Sequence, residues 1–73
     1  MNIQLITNNG IQPSNVNSIV IYNEVIYVYF DEVPGGLEIN DEICLMQVHK
    51  VLQGYCIICF IEDIKEKYLV CRI

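Results

Sequence analysis

Hydrophobic and polar positions alternate with a period of two along much of the chain. Residues 2–7, Asn-Ile-Gln-Leu-Ile-Thr, place Ile3 and Leu5 on one face and predict a strand. Residues 8–16 are dense in Asn, Gly, Pro and Ser, which favour turns, and predict a loop. Residues 18–30 are rich in β-branched and aromatic side chains and predict strands. Asn23-Glu24 is a candidate two-residue hairpin turn, in which Asn suits a positive φ and Glu does not. Residues 31–36 end in Pro-Gly-Gly, which cannot continue a central strand. Residues 68–73 predict a last strand, with Leu69, Cys71 and Ile73 on one face and Tyr68, Val70 and Arg72 on the other.

The stretch 37–63 carries two patterns. Cys44, Leu45, Val48, Val51 and Leu52 fall on one face of a helix. Cys44, Met46 and Val48 also alternate with Gln47 and His49, and residues 55–61 are strongly β in character. Two strands joined near Leu52 to Tyr55, with Gln53-Gly54 as the turn, are the favoured reading; a short helix within 41–52 is the alternative. Residues 62–67 read as a polar connection. The fold class expected is all-β or mainly β: five to six short antiparallel strands in a small, partly open barrel. Residues 1–73 form a single domain.

The run Val25-Ile26-Tyr27-Val28-Tyr29-Phe30 breaks the alternation, because all six residues are apolar or aromatic. Parity assigns Ile26, Val28 and Phe30 to the core and Val25, Tyr27 and Tyr29 to the opposite face. Tyr68 and Val70 repeat this arrangement on the last strand. Tyrosines present large area and a polar tip at low entropy cost, as binding surfaces do. Val25, Tyr27, Tyr29, Tyr55, Tyr68 and Val70 are therefore the candidate partner-binding residues; capping of the barrel core is the competing role.

Composition sharpens this picture. The 73 residues are 53% hydrophobic and only 18% charged. A chain so short buries only about 60–65% of its unfolded surface. More apolar surface is present than one small core can hide. The net charge of −5 argues against direct nucleic-acid binding, which calls for a basic stripe. Acidity also keeps a greasy domain soluble. Apolar runs such as 57–61 are too short to span a membrane, and residues 1–10 lack a signal-peptide pattern. The expected location is the cytoplasm, where the four cysteines would be reduced thiols.

Chemical motifs are sparse. Cys56 and Cys59 have the spacing of a zinc or redox pair, but in a strand they face opposite sides and cannot share a metal. Cys44, Cys56, Cys71 and His49 have no ligand spacing. His49, the only histidine, lies between Val48 and Lys50 and reads as a half-exposed strand residue rather than a base. Asp31-Glu32, Glu38, Asp41-Glu42 and Glu62-Asp63 lack the alternation of a calcium loop. Gly35-Gly36 lacks the helix and lysine of a phosphate cradle. No nucleophile, base and orienter occur as a set, so no enzyme, catalytic residue, metal or cofactor is expected.

Asn8-Asn9-Gly10, Pro13-Ser14-Asn15, Glu42-Ile43 with Val48, Gly54-Tyr55, Ile61-Glu62 and Arg72-Ile73 follow a pattern. It resembles that of short uncharacterised proteins encoded by Bacteroidota genomes, prophages and mobile elements. Ile43 stands where that pattern has an aromatic, and Ile73 where it has a final Phe. The resemblance implies an SH3-like barrel and carries no catalytic residue. The function expected is a small non-enzymatic protein-binding module. By analogy it is an inhibitor of anti-CRISPR type, docking on a larger, basic, nucleic-acid-binding protein. The alternatives are a self-associating protein, such as a homodimer, and a Cys-based metal-binding protein.

Overall fold

The computed structural model of the chain describes residues 3–9, 12–47 and 55–73. Seven strands form one sheet: β1 (Ile3–Thr7), β2 (Ser14–Val16), β3 (Ser18–Tyr22), β4 (Val25–Tyr29), β5 (Glu42–Gln47), β6 (Tyr55–Ile64) and β7 (Tyr68–Arg72). Their order is β2-β1-β5-β6-β7-β4-β3, and every pair is antiparallel. No helix occurs among the described residues; 42–47 is strand, and residues 48–52 of the expected helical alternative, with His49, and the expected Gln53-Gly54 turn lie outside them.

The two outermost strands, β2 and β3, follow each other in the chain with only Asn17 between them. The sheet must therefore roll up to bring its edges to one corner. Asn17 secures that corner: its N–H donates to the Tyr29 carbonyl at 2.8 Å, and its Nδ2 donates to Asp31 Oδ1 at 2.7 Å. The roll stays open. An apolar cavity of about 510 Å³ lies between β3 and the paired strands β1, β5 and β6, lined chiefly by Ile3, Ile19, Leu45 and Ile57.

The inside of the roll is the core. Leu5, Val16, Ile26, Val28, Phe30, Ile43, Leu45, Cys59, Ile61, Leu69 and Cys71 are buried there, and no polar residue joins them among the described residues. Ile26, Val28 and Phe30 take the core face that parity assigns to them. Leu69 and Cys71 do the same, whereas Ile73 at the chain end is exposed.

Three segments depart from the sequence reading. Residues 14–16, expected as loop, form β2, because Ser14, Asn15 and Val16 ladder onto Leu5, Gln4 and Ile3. Backbone pairing needs no apolar side chain, so a polar segment can supply a short edge strand. Residues 62–64, expected as connection, belong to β6. A bulge places Glu62 opposite no partner, since Ile61 pairs with Cys71 and Asp63 with Val70. The extra residue shifts the parity, so Ile61 and Ile64 both turn toward the core although three positions apart. The third departure concerns the cysteines and is described with the site.

Turn chemistry follows the backbone demand. Asn23 and Glu24 both have positive φ, 51° and 65°, as a two-residue hairpin of primed type requires. Asp41 closes a turn by accepting from the Glu38 N–H at 2.9 Å, and Asn40 within it has φ 74°. Glu24 is the poorly suited residue, since a left-handed conformation costs an L side chain about 1–2 kcal/mol. Glu24→Gly is expected to raise stability by about 0.5–1 kcal/mol, part of the gain being offset by glycine's freedom when unfolded. Thermal unfolding followed by circular dichroism should show a midpoint higher by a few degrees (about 4–8 °C per kcal/mol for this size); a lower midpoint contradicts this account of the turn.

Candidate functional site

The outer surface of β3, β4 and β7 is a continuous apolar and aromatic wall. Two ladders build it. On β4–β7, Tyr29 pairs with Tyr68 and Tyr27 with Val70. On β3–β4, Tyr22 pairs with Val25 and Val20 with Tyr27. The Tyr68 ring sits between two others, 5.3 Å from Tyr29 and 6.4 Å from Tyr27 between centroids, tilted in both cases. Such spacing holds aromatic rings together by about 0.5–1.5 kcal/mol beyond area burial. Tyr27, Tyr68, Val25 and Val70 are half-buried by their neighbours; Tyr22, Val20 and Tyr29 are 66%, 47% and 36% exposed.

Five of the six sequence-predicted residues thus converge: Val25, Tyr27, Tyr29, Tyr68 and Val70. Tyr55 does not join them along the ladder. It opens β6 opposite Gln47, at the end that does not pair with β7, and its side chain lies outside the described residues. Val20 and Tyr22 belong to the wall but were missing from the candidate set. The Asn23-Glu24 turn was the signal that could have found them, because it pairs Tyr22 with Val25 and carries the face onto β3.

Carboxylates rim the wall. Glu24 stands at the hairpin tip, Asp31 and Glu32 follow the end of β4, and Glu62 and Asp63 border Val70. The three described cations are all engaged nearby. Lys65 Nζ lies 3.0 Å from Asp63, Lys67 Nζ donates to the Asp31 carbonyl at 2.7 Å, and the Arg72 guanidinium lies 5.1 Å over the Phe60 ring. The hydrogen bonds of Lys65 and of the Ile64 N–H hold the Asp63 carboxyl below the usual range, and the same pairing raises Lys65. Both groups are open to water, so the pair adds little stability. The electrostatic character of the rim is acidic.

The cysteines occupy two diagonal positions on adjacent strands. Cys44 and Cys56 face outward on β5 and β6 and are joined by a disulfide, their Cα atoms 6.0 Å apart. This corrects the expectation of reduced thiols for these two residues. That expectation followed from an assumed compartment, whereas strand register decides which sulfurs meet. Cys59 and Cys71 are free thiols, fully buried on the inner face of β6 and β7. Cys56 and Cys59 do face opposite sides, as parity requires. The hydrogen bond between Cys59 and Cys71 pushes the Cys71 thiol up and the Cys59 thiol down, and burial pushes both up. Both pack in the apolar core as small hydrophobic residues. Among the described residues no group of three or more His, Cys, Asp and Glu is placed to hold a metal ion. No helix there is long and apolar enough to cross a membrane.

No family model, curated protein or solved structure matches the chain.

The cysteine arrangement sets a countable expectation. A thiol reagent should find no reactive cysteine in the native protein, two in denaturant, and four after reduction in denaturant. The disulfide joins positions 12 apart in sequence, and a loop of that size is worth about 3 kcal/mol through chain entropy. Replacing both Cys44 and Cys56 by Ser should lower stability in chemical denaturation by that order. Four reactive thiols in unreduced, denatured protein would contradict the assignment.

Proposed function

We propose that this chain is a non-enzymatic protein-binding module that docks its tyrosine wall on a larger, basic, nucleic-acid-binding protein. The observation that carries this reading is the wall itself. Aromatic rings are gathered at the centre, aliphatic side chains lie beside them, and carboxylates stand around the edge. An aromatic centre with a polar rim is the anatomy of a protein interface.

Magnitudes favour a basic partner over a merely apolar one. The exposed parts of Tyr22 and Tyr29 amount to on the order of 200 Å², given about 150–250 Å² for a whole aromatic side chain. At about 25 cal/mol per Å² their burial contributes about 5 kcal/mol. Association costs about 4–15 kcal/mol before any affinity is seen. The rings alone reach that range only at its lower end. Complementary charge on the partner speeds encounter and fixes orientation, and the rim supplies it. The resemblance to prophage and mobile-element proteins suggests the physiological setting: an inhibitor of anti-CRISPR type acting on a nucleic-acid-guided nuclease of its host. Self-association, the alternative, has the same apolar face meet its own copy across a two-fold axis.

The test is affinity capture from host lysate with the wild-type chain and with Tyr27→Ser/Tyr68→Ser side by side. Both substitutions lie on the outer face, so circular dichroism should show the fold retained. A basic protein should be recovered by the wild type, released as salt rises, and reduced at least about tenfold with the variant, corresponding to about 1.4 kcal/mol or more. Nothing above background, or equal recovery by both chains, contradicts the proposal.

A further inference from the structure

We infer that the free edge of β3 is a self-pairing site, where two copies of this chain join antiparallel about a two-fold axis at Val20. The inference does not depend on the tyrosine wall having a partner of another kind.

β3 pairs only with β4 among the described strands, so among the described residues one of its edges carries backbone groups with no partner. Which groups these are follows from the turn. In a two-residue hairpin the flanking residues, here Tyr22 and Val25, form the hydrogen-bonded pair. Ser18, Val20 and Tyr22 then direct their N–H and C=O toward β4. Ile19 and Ile21 direct theirs outward. Native edges are normally blunted by charge, proline, a bulge or shortness. The other edge, β2, is three residues long, polar, and follows Pro13. β3 is Ser-Ile-Val-Ile-Tyr, five residues with no charge and no proline.

A second copy fits this edge in one register. Placing Val20 opposite Val20 of the copy sets Ile19 opposite Ile21 and Ser18 opposite Tyr22. The outward groups of Ile19 and Ile21 are then hydrogen-bonded pairs, giving four bonds across the axis. Parity is conserved, so outer faces meet outer faces and the two tyrosine walls become one. The large Tyr22 lies over the small Ser18 of its mate. On the inner side, Ile21 of the copy falls beside Ile19, at the opening of the cavity lined by Ile3, Ile19, Leu45 and Ile57. Ile21 is 61% exposed in the single chain although its parity is that of the core. Self-pairing gives that side chain an apolar place and gives the cavity a cover.

The area sets the strength. Edge pairing hides the backbone edge of β3 and the flanks of Val20, Ile21 and Tyr22, while the outer faces of the wall stay open. The buried area therefore falls below the roughly 1,200 Å² at which specific interfaces become stable, in the range of transient ones. The dimer should therefore form at high micromolar concentration and dissociate on dilution. With −5 on each chain it should also strengthen as salt screens repulsion.

Sedimentation analysis from about 10 µM to 1 mM, with amide hydrogen exchange at both ends of the range, tests this. The expected result is a mass that rises toward twice the monomer, together with protection of the Ile19 and Ile21 amides only at high concentration. Ile21→Pro removes an outward N–H without touching the β3–β4 ladder, and Val20→Lys places two like charges at the axis. Each should keep the circular dichroism spectrum and remain monomeric throughout. A wild-type monomer at 1 mM, or a dimer that both variants form equally well, overturns the inference.

Discussion

A single rolled sheet has only one inside. In this molecule every strand side chain either enters that interior or is turned away from it, because no helix or second sheet covers the other face among the described residues. The interior is filled by one set of positions: Leu5 on β1, Ile26 and Val28 on β4, Ile43 and Leu45 on β5, Cys59 and Ile61 on β6, Leu69 and Cys71 on β7. Their neighbours are committed to the outside whatever their chemistry. Tyr27 and Val70 are on the surface because Val28 and Leu69 are not. Among the described residues the bulge at Glu62 is where the rule is adjusted, and it serves the same end, turning Ile64 as well as Ile61 toward the core.

Surface and edges follow from this constraint. Apolar residues that parity excludes from the core gather into the wall on β3, β4 and β7, where Tyr68 holds Tyr27 and Tyr29 together. Carboxylates stand around the wall and leave its aromatic centre accessible. The roll ends in two edges joined through Asn17, and they differ in kind. β2 is short and polar; β3 is apolar on both faces and borders an open cavity. Wall and edge share β3, so pairing of two copies would extend the wall rather than cover it. A partner protein would then meet two wall units in fixed relation, with the gain in effective concentration that bivalency brings.

The period of two made most of this legible from the amino-acid sequence. Parity alone separated Ile26, Val28 and Phe30 from Val25, Tyr27 and Tyr29, and did the same for Leu69 and Cys71 against Tyr68 and Val70. The Asn23-Glu24 turn was also legible, because few residues accept positive φ. Features resting on backbone pairing or long-range register were not. Ser14-Asn15-Val16 has no strand-like composition and is a strand only because β1 offers it a ladder. The bulge at Glu62 reads locally as a polar connection. The Cys44–Cys56 disulfide depends on a diagonal relation between β5 and β6, which sequence spacing does not reveal. Val20 and Tyr22 were within reach, since the hairpin register carries the tyrosine face onto β3.

Two adjacent residues of β7 probe the central constraint directly. Leu69 is fully buried against the core, and Val70 stands on the opposite face between Tyr27 and Asp63. Chemical denaturation of Leu69→Ala and Val70→Ala compares inside with outside at neighbouring positions in one strand. Leu69→Ala should lose about 2–5 kcal/mol, as large-to-small changes in a packed core do. Val70→Ala should lose less than about 1 kcal/mol. Equal losses, or the larger loss at Val70, would mean that the two faces of the sheet are not divided in this way.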